Sequence, residues 1–392
     1  MSVNTLGTEQ AYQLINQLHS MATGQTSITP TDERDFITVA QATLANGYDP
    51  VVQAISQVIG KTIIAVRPYR RKFAGLEMTS ERWGGIIRKI NFADRAAGPD
   101  PTYALVDHQS VDQFDVRLAD VLETRYVGSD VFMAHYTIFT RQLDTAFESS
   151  AAFGSFMSGL MLHASNEFEQ YLENIARATL ANFIAAKNII AGDGVVHLLT
   201  EYNTATGASP AYTATTIKQP DVFPAFCRWC YARIGELSEK MTERSQMFQQ
   251  VITGKPIMRH TPVADQKIYI LSDILKHMEA EVLSTTYNDN YLSLADVEGV
   301  GFWQAIDTPD ELSVQPVYVD ATGTVVTNAA NQAMSDVVGV MFDRDAIGYN
   351  VYQDEVTTSP YNAMGQYYNM FHHARIQYQN DFTEKGVVLL LD

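Results

Sequence analysis

Cysteine is nearly absent from this chain: there are two in 392 residues, Cys227 and Cys230, in the run CRWC. Their neighbours, PAFCRWCYARIGELSEK, read as a helix. Neither a thioredoxin-like context nor a second ligand pair accompanies them, which argues against redox and zinc chemistry. Two small helical residues made in a reducing cytoplasm are expected. No stretch approaches the ~18 consecutive apolar residues of a membrane span. The opening MSVNTLGTEQAYQL lacks the charged and apolar regions of a signal peptide. Positive charge is also short. Lys and Arg total 27 against 45 Asp and Glu, a net charge of −18. Such a chain is a poor candidate for holding nucleic acid by counterion release. It contains no internal repeat and no low-complexity tract.

Catalytic motifs are missing too. Gly60-Lys61-Thr62 ends like a phosphate loop, but Ile55 stands where the first glycine is needed, and the run leads into a predicted strand. Gly192-Asp193-Gly194 lacks the further glycine of a dinucleotide fingerprint and reads as a helix stop. No GxSxG or HExxH occurs. His372 and His373 are adjacent on a predicted strand, so they point to opposite faces and cannot share a ligand. His135, His163 and His197 have no partner arrangement that would poise them for catalysis. Asp343-Arg344-Asp345 has no further ligands at calcium-loop spacing and reads as a turn stapled by a salt bridge. No enzymatic activity, cofactor or metal is expected.

What remains is a chain long enough for a sizeable core, 46% hydrophobic, and rich in aromatic residues that suit large buried interfaces. One stretch organises it. From Ser149 to Ile190, Phe153, Met157, Leu160, Ala164, Phe168, Leu172, Ile175, Leu180, Phe183 and Ile184 recur at the three-and-four spacing of a helix. Ser149 or Ser150 can cap its start, and Gly192 can stop its end. Asn166, three residues before Glu169, resembles a second start signal. The reading is a short helix, a joint near Ser165, and a second helix to Ile190. At ~1.5 Å per residue, about 40 residues span about 60 Å.

Before it, residues 6–23, 31–46 and 51–60 predict three small helices. They read as an arm, because none offers a wide apolar face. Residues 61–145 are rich in β-branched and aromatic runs broken by Gly84-Gly85 and Gly98-Pro99-Asp100-Pro101, and predict strands with a long hairpin. After the long helix come a polar loop over 195–216, a helix over 221–250 and another over 265–284. Strands follow from Val300 onward. Helices and strands are segregated, so the fold class is α+β rather than doubly wound.

Charge is unevenly placed. Residues 61–95 hold nine Lys/Arg against three Asp/Glu, and residues 265–392 hold five against 19. A chain with one basic segment and one acidic region can bind copies of itself. The candidate inter-subunit residues are Arg67, Arg70, Arg71, Lys72, Arg82, Arg88, Lys89 and Arg95, with Asp343, Arg344 and Asp345. Reversing Arg70, Arg71 and Lys72 to Glu is expected to block assembly and leave the monomer folded.

The tail VVGVMFDRDAIGYNVYQDEVTTSPYNAMGQYYNMFHHARIQYQNDFTEKGVVLLLD resembles the C-terminal part of tailed-bacteriophage major capsid proteins. There, a strand ending in Gly leads to an Asp-Arg-Asp-Ala-like turn, here Gly339 to Ala346, and a long strand returns, here His373 to Gln379. The resemblance implies the Hong Kong 97-type capsid fold. Residues 1–60 would be the N-terminal arm, 61–145 the extended hairpin (E-loop) with adjoining strands of the peripheral (P) lobe, and 146–194 the spine helix. Residues 195–372 would be the axial (A) lobe with segments of the peripheral lobe, and 373–392 the return strands. It further implies self-assembly into hexamers and pentamers of an icosahedral shell around double-stranded DNA. A separate scaffolding protein, a portal and head-completion proteins would be partners, with no membrane and no sequence-specific DNA binding. The protein would reside in the virion, and in the host cytoplasm during assembly. No Lys–Asn crosslinking pair can be matched. The alternatives are an encapsulin-type compartment shell of the same fold, another phage structural protein such as a portal or tail component, and an acidic aromatic-rich glycoside hydrolase.

Overall fold

The structure, a computed structural model, describes residues 7–25, 29–63, 71–78, 87–94, 105–111, 114, 116, 118–126, 129–190, 192–255, 257–285 and 297–392. In chain order, the first elements are α1 (Thr8–Thr23), α2 (Glu33–Leu44), α3 (Tyr48–Ile63), β1 (Ile87–Phe92), β2 (Val121–Tyr126) and β3 (Ser129–Phe139). Then come α4 (Thr140–Ala146), α5 (Ser150–Ile190), β4 (Val195–His197), α6 (Leu198–Thr206) and α7 (Phe223–Thr242). β5 (Gln266–Leu271), α8 (Ser272–Thr285), β6 (Val297–Val300), β7 (Leu312–Val314), β8 (Tyr318–Val319), β9 (Val325–Val326) and β10 (Gln332–Met334) follow. The chain closes with β11 (Val337–Asp343), β12 (Ile347–Thr358), β13 (Tyr367–Asn380) and β14 (Gly386–Leu390). The fold class is α+β, as expected.

The chain divides into two compact units. The first comprises Met1–Gly85, Gly128–Ile175 and Tyr349–Gln377; the second comprises Ile86–Val127, Ala176–Gly348 and Tyr378–Asp392.

In the first unit, a three-stranded sheet in the order β12-β13-β3 packs one face on α5. β13 and β3 pair antiparallel from Tyr367↔Phe139 to Gln377↔Ser129. The pleat sends Ala134, Tyr136 and Ile138 inward and leaves Val131, Met133 and Phe139 exposed. Phe132 stacks on Tyr171 of α5 at 4.3 Å between ring centroids. Tyr136 donates to Glu167 at 2.9 Å. His372 and His373 do face opposite ways: His372 is buried against Phe168 and hydrogen-bonds Asp354.

The three N-terminal helices pack against one another. α1, α2 and α3 each bury a narrow stripe, and Ile15, Leu18, Phe36, Ala40, Val51 and Ile55 converge in one core. Phe36 meets Phe153 of α5 at 5.8 Å, so α5 supplies the apolar surface that no single small helix offers. Helix α5 begins as read, with the Ser149 hydroxyl accepting from Ala152 N–H. Glu33 of α2 adds a second acceptor for the backbone N–H of Ser150 at 2.7 Å. The expected joint near Ser165 is absent, because α5 runs unbroken for 41 residues. Glu169 is drawn to Arg71 instead of folding back to cap, so tertiary pairing overrides the local start signal.

In the second unit, a five-stranded sheet runs β4-β14-β11-β5-β6. β14 and β5 flank β11 antiparallel, and the outer strands β4 and β6 pair parallel. All seven residues of β11 are buried. α6, α7 and α8 cover the sheet through Leu198, Phe226, Ile234, Leu237 and Met278. Cys227 and Cys230 lie free in this core, and burial pushes the Cys227 thiol up to about 12. The single helix expected over 265–284 is a strand followed by a helix, and the expected loop over 195–216 contains β4 and α6. The run KTIIAVRPYRRKF begins inside α3 rather than as a strand, and Arg71 leads a short 3₁₀ turn, Lys72–Leu76.

Candidate assembly surfaces

The predicted hairpin is present as a two-stranded ribbon. β1 and β2 pair antiparallel from Ile87↔Tyr126 to Phe92↔Val121, and no third strand joins them among the described residues. Alternation is inverted on β1, while on β2 Leu122, Thr124 and Tyr126 are the covered positions and Glu123 and Arg125 the exposed ones. Lys89 and Asn91 turn inward, while Ile90, Phe92 and Val121 lie on the solvent side. Beyond the ribbon, Phe114, Val116 and Leu118 are 80%, 79% and 78% exposed.

The inward polar side chains meet charges of the same unit. Lys89 Nζ pairs with Asp381 at 2.7 Å and also with Glu384. Arg259 pairs with Glu384 at 3.1 Å and donates to Asn91 at 2.8 Å. Two residues past β1, Asp94 accepts from Met258 N–H at 2.6 Å and pairs with Arg244. On the other strand, Lys255 donates to the Val121 carbonyl at 2.6 Å. Burial alone would lower the Lys89 pKa, but Asp381 and Glu384 outweigh it and hold it above the ordinary lysine value. Burial likewise opposes ionisation of Asp381. The Lys89 charge and the Thr383 hydrogen bonds overcome it and keep Asp381 below the usual carboxylate range. At Glu384 burial prevails, and its pKa is raised.

A second buried cluster lies in the first unit. Arg71 is buried, with Nη1 at 3.4 Å from Glu169 on α5, a second pairing to Glu77, and its guanidinium 5.5 Å from the Tyr349 ring centroid. Glu173, one turn further along α5, accepts from Phe73 N–H at 3.4 Å.

The sequence-predicted contact residues therefore separate. Arg71 and Lys89 are committed inside their own subunit. A glutamate at Arg71 would be buried beside Glu169 and Glu77, so the triple reversal should also cost the monomer stability. Arg88 is exposed and pairs with Glu123 at 2.8 Å; Lys72 is exposed. Asp343 is buried and accepts from Thr261 and from Asp345 N–H, while exposed Arg344 pairs with Asp265 at 3.2 Å. The turn is stapled as read. Arg67, Arg70, Arg82 and Arg95 lie outside the described residues. Asp381, Glu384 and Arg259 carry no local motif, and the one signal at Glu169, three residues after Asn166, points to a helix start rather than to a buried ion pair. Only Lys89 and Arg71, as basic residues of a hairpin segment, pointed toward them.

The deciding observation is a match along the chain. Residues 15–387 fit the family described as Phi29-like phage major capsid protein. The chain belongs to that family. It is a phage major capsid protein, a structural subunit of the head. Solved structures show the same fold at low identity. A chain of the capsid structure of Staphylococcus phage Andhra is 9% identical with a TM-score of 0.54, covering 82% of this chain and 84% of that one. A chain in the structure of the head fiber and inner core protein of native bacteriophage P68 is 10% identical with a TM-score of 0.55, covering 82% and 85%. No curated protein sequence matches. The element order agrees with the Hong Kong 97-type fold expected from sequence. Among the described residues, no helix is long and apolar enough to cross a membrane, and no cluster of three metal-ligating side chains occurs.

Proposed function

We propose that this subunit assembles with copies of itself into pentamers and hexamers of an icosahedral shell around the double-stranded DNA of a tailed phage. It has no enzymatic activity. The first unit corresponds to the peripheral lobe, and the second, apart from the hairpin, to the axial lobe. A separate scaffolding protein guides assembly in the host cytoplasm, a portal and head-completion proteins fill the special vertex, and the product resides in the virion. The match over residues 15–387 carries this reading. The charge supports it. At −18 the subunit cannot condense DNA by itself, so contact with the genome is non-specific and the DNA must be driven in.

Exposed cations, Arg88, Lys72 and Arg344 among them, contact acidic surfaces of neighbouring copies, as do Arg67, Arg70, Arg82 and Arg95, while Asp345 meets a basic surface. Expression of the full chain with and without a scaffolding protein, followed by negative-stain microscopy, tests this. Closed shells are expected, with nucleic acid inside native particles. A monodisperse subunit under all conditions, or particles holding only protein cargo, overturns it.

A further inference from the structure

The hairpin root is built in a way that a free-standing ribbon is not. A two-stranded ribbon is marginal in water, and one normally gains stability by burying its apolar face. On β1 the pleat does the reverse: Lys89 and Asn91 face the body of the unit and Ile90 and Phe92 face outward, whereas β2 turns Leu122, Thr124 and Tyr126 inward and Val121, Glu123 and Arg125 outward. Two cations, Lys89 and Arg259, meet two carboxylates, Asp381 and Glu384, all more than three-quarters buried at the side chain. The set is electrically closed. Buried ion pairs add little net stability but are intolerant of misplacement, since a lost partner leaves a buried charge. A one-residue slip of β1 would turn Lys89 to solvent, bring Ile90 against Asp381 and Glu384, and invert every side chain of that strand.

We propose that the Lys89–Asp381–Glu384–Arg259 cluster is a clasp that fixes the register and direction of the hairpin, so that its outer face, where Ile90, Phe92 and Val121 lie among Arg88, Glu123 and Arg125, is presented to a second copy of this chain. The occupant follows from charge as well as polarity. The outer face adds Arg88 and Arg125 around one Glu123, a net positive rim, and the remainder of the chain is strongly acidic. The clause about the second copy rests on the shell-assembly reading; the clasp itself does not.

Hydrogen exchange on the unassembled full-length chain separates the two. Lys89→Met keeps the aliphatic stem and removes the charge. It should speed exchange of amides in 87–92 and 121–126 by about tenfold or more, while β11 and β14 keep their protection. Glu384→Gln should produce the same local loss. Lys89→Arg, which can still bridge both acids, should restore protection. Shell yield should follow the same order, low for Met and high for Arg. Unchanged exchange of the ribbon in Lys89→Met, or equal loss in Met and Arg, overturns the clasp. The expected exchange pattern in a chain that never forms shells overturns the assembly reading and leaves the clasp standing.

Discussion

Lys187 is the most informative single position for stability. It sits near the end of α5 and is almost fully buried. Its Nζ donates to the Phe248 carbonyl at 2.8 Å and lies 5.5 Å from the Phe183 ring centroid. Burial lowers its pKa to about 8 from 10.5, against the opposing charges of Asp193 and Asp381. In the folded chain the proton therefore leaves near pH 8, and in the unfolded chain only near 10.5. Between those values the unfolded state binds the extra proton, so stability rises with pH. Below pH 8 both states are charged and the folded state carries the full penalty. The gap between 10.5 and about 8 corresponds to roughly 3 kcal/mol.

Lys187→Met keeps the stem, and the Phe248 carbonyl retains a second donor in Gly386 N–H at 2.9 Å. Asp381 keeps Lys89. The lost hydrogen bond is worth about 1 kcal/mol, so the variant should be more stable at pH 7 by roughly 1–3 kcal/mol. Urea unfolding of the unassembled chain, followed by tryptophan fluorescence from pH 7 to 10, gives two curves. Their difference should be largest near pH 7 and shrink as pH rises through 8 toward 10.5. A variant less stable at pH 7, or a difference that does not change with pH, would refute this account.

Arg71→Met should destabilise the chain by about 3–5 kcal/mol in urea, because Glu169 is left buried without its cation. The double variant with Glu169→Gln should recover much of that loss. Gly386→Ala should lower stability by about 1–3 kcal/mol in the same assay, since a Cβ there would lie 2.6 Å from Phe183 Cζ. Ile175→Pro removes a backbone bond in the interior of α5 and clashes with the preceding turn, at a cost of about 3 kcal/mol or more. It should abolish soluble expression and particles together, and normal particles would count against a continuous spine.

Some elements were legible because their signals are local. α5 shows unbroken periodicity with a serine cap and a glycine stop; Gly192 does adopt a positive φ of 94°. β13 and β14 are short apolar or alternating runs bounded by turn residues. β5 and α8 were read as one helix because Ile268, Leu271, Ile274, Leu275 and Met278 keep helical spacing across the junction, with no turn residue between Leu271 and Ser272. Only the central place of β5 beside β11, with Ile268, Tyr269 and Ile270 all buried, makes it a strand. LLTEYNTAT is poor in helix signals and reads as loop, whereas Leu198, Leu199 and Tyr202 of α6 gain their meaning from the core they enter. The joint at Ser165 failed because Glu169 is claimed by a residue 98 positions away. Lys89 and Glu384 are 295 positions apart, and no spacing rule reaches that far.

The uneven charge seen in the sequence thus has two uses that differ in their response to salt. Arg71 and Lys89, from the basic segment, are spent inside the subunit, where water is excluded and screening is weak. Arg88, Lys72 and Arg344 stay exposed, where a Debye length of about 10 Å at 0.1 M shrinks to about 3 Å at 1 M. If exposed charges select neighbours while the clasp only aims the hairpin, raising salt to about 1 M should slow assembly severalfold. The same salt should leave exchange protection of 87–92 and 121–126 in the free subunit unchanged. Light scattering reports the first and hydrogen exchange the second. Parallel loss of both would mean that the hairpin root is held by solvent-accessible charges, and that register and partner choice share one mechanism. Loss of assembly alone would assign them to different residues of the same basic segment.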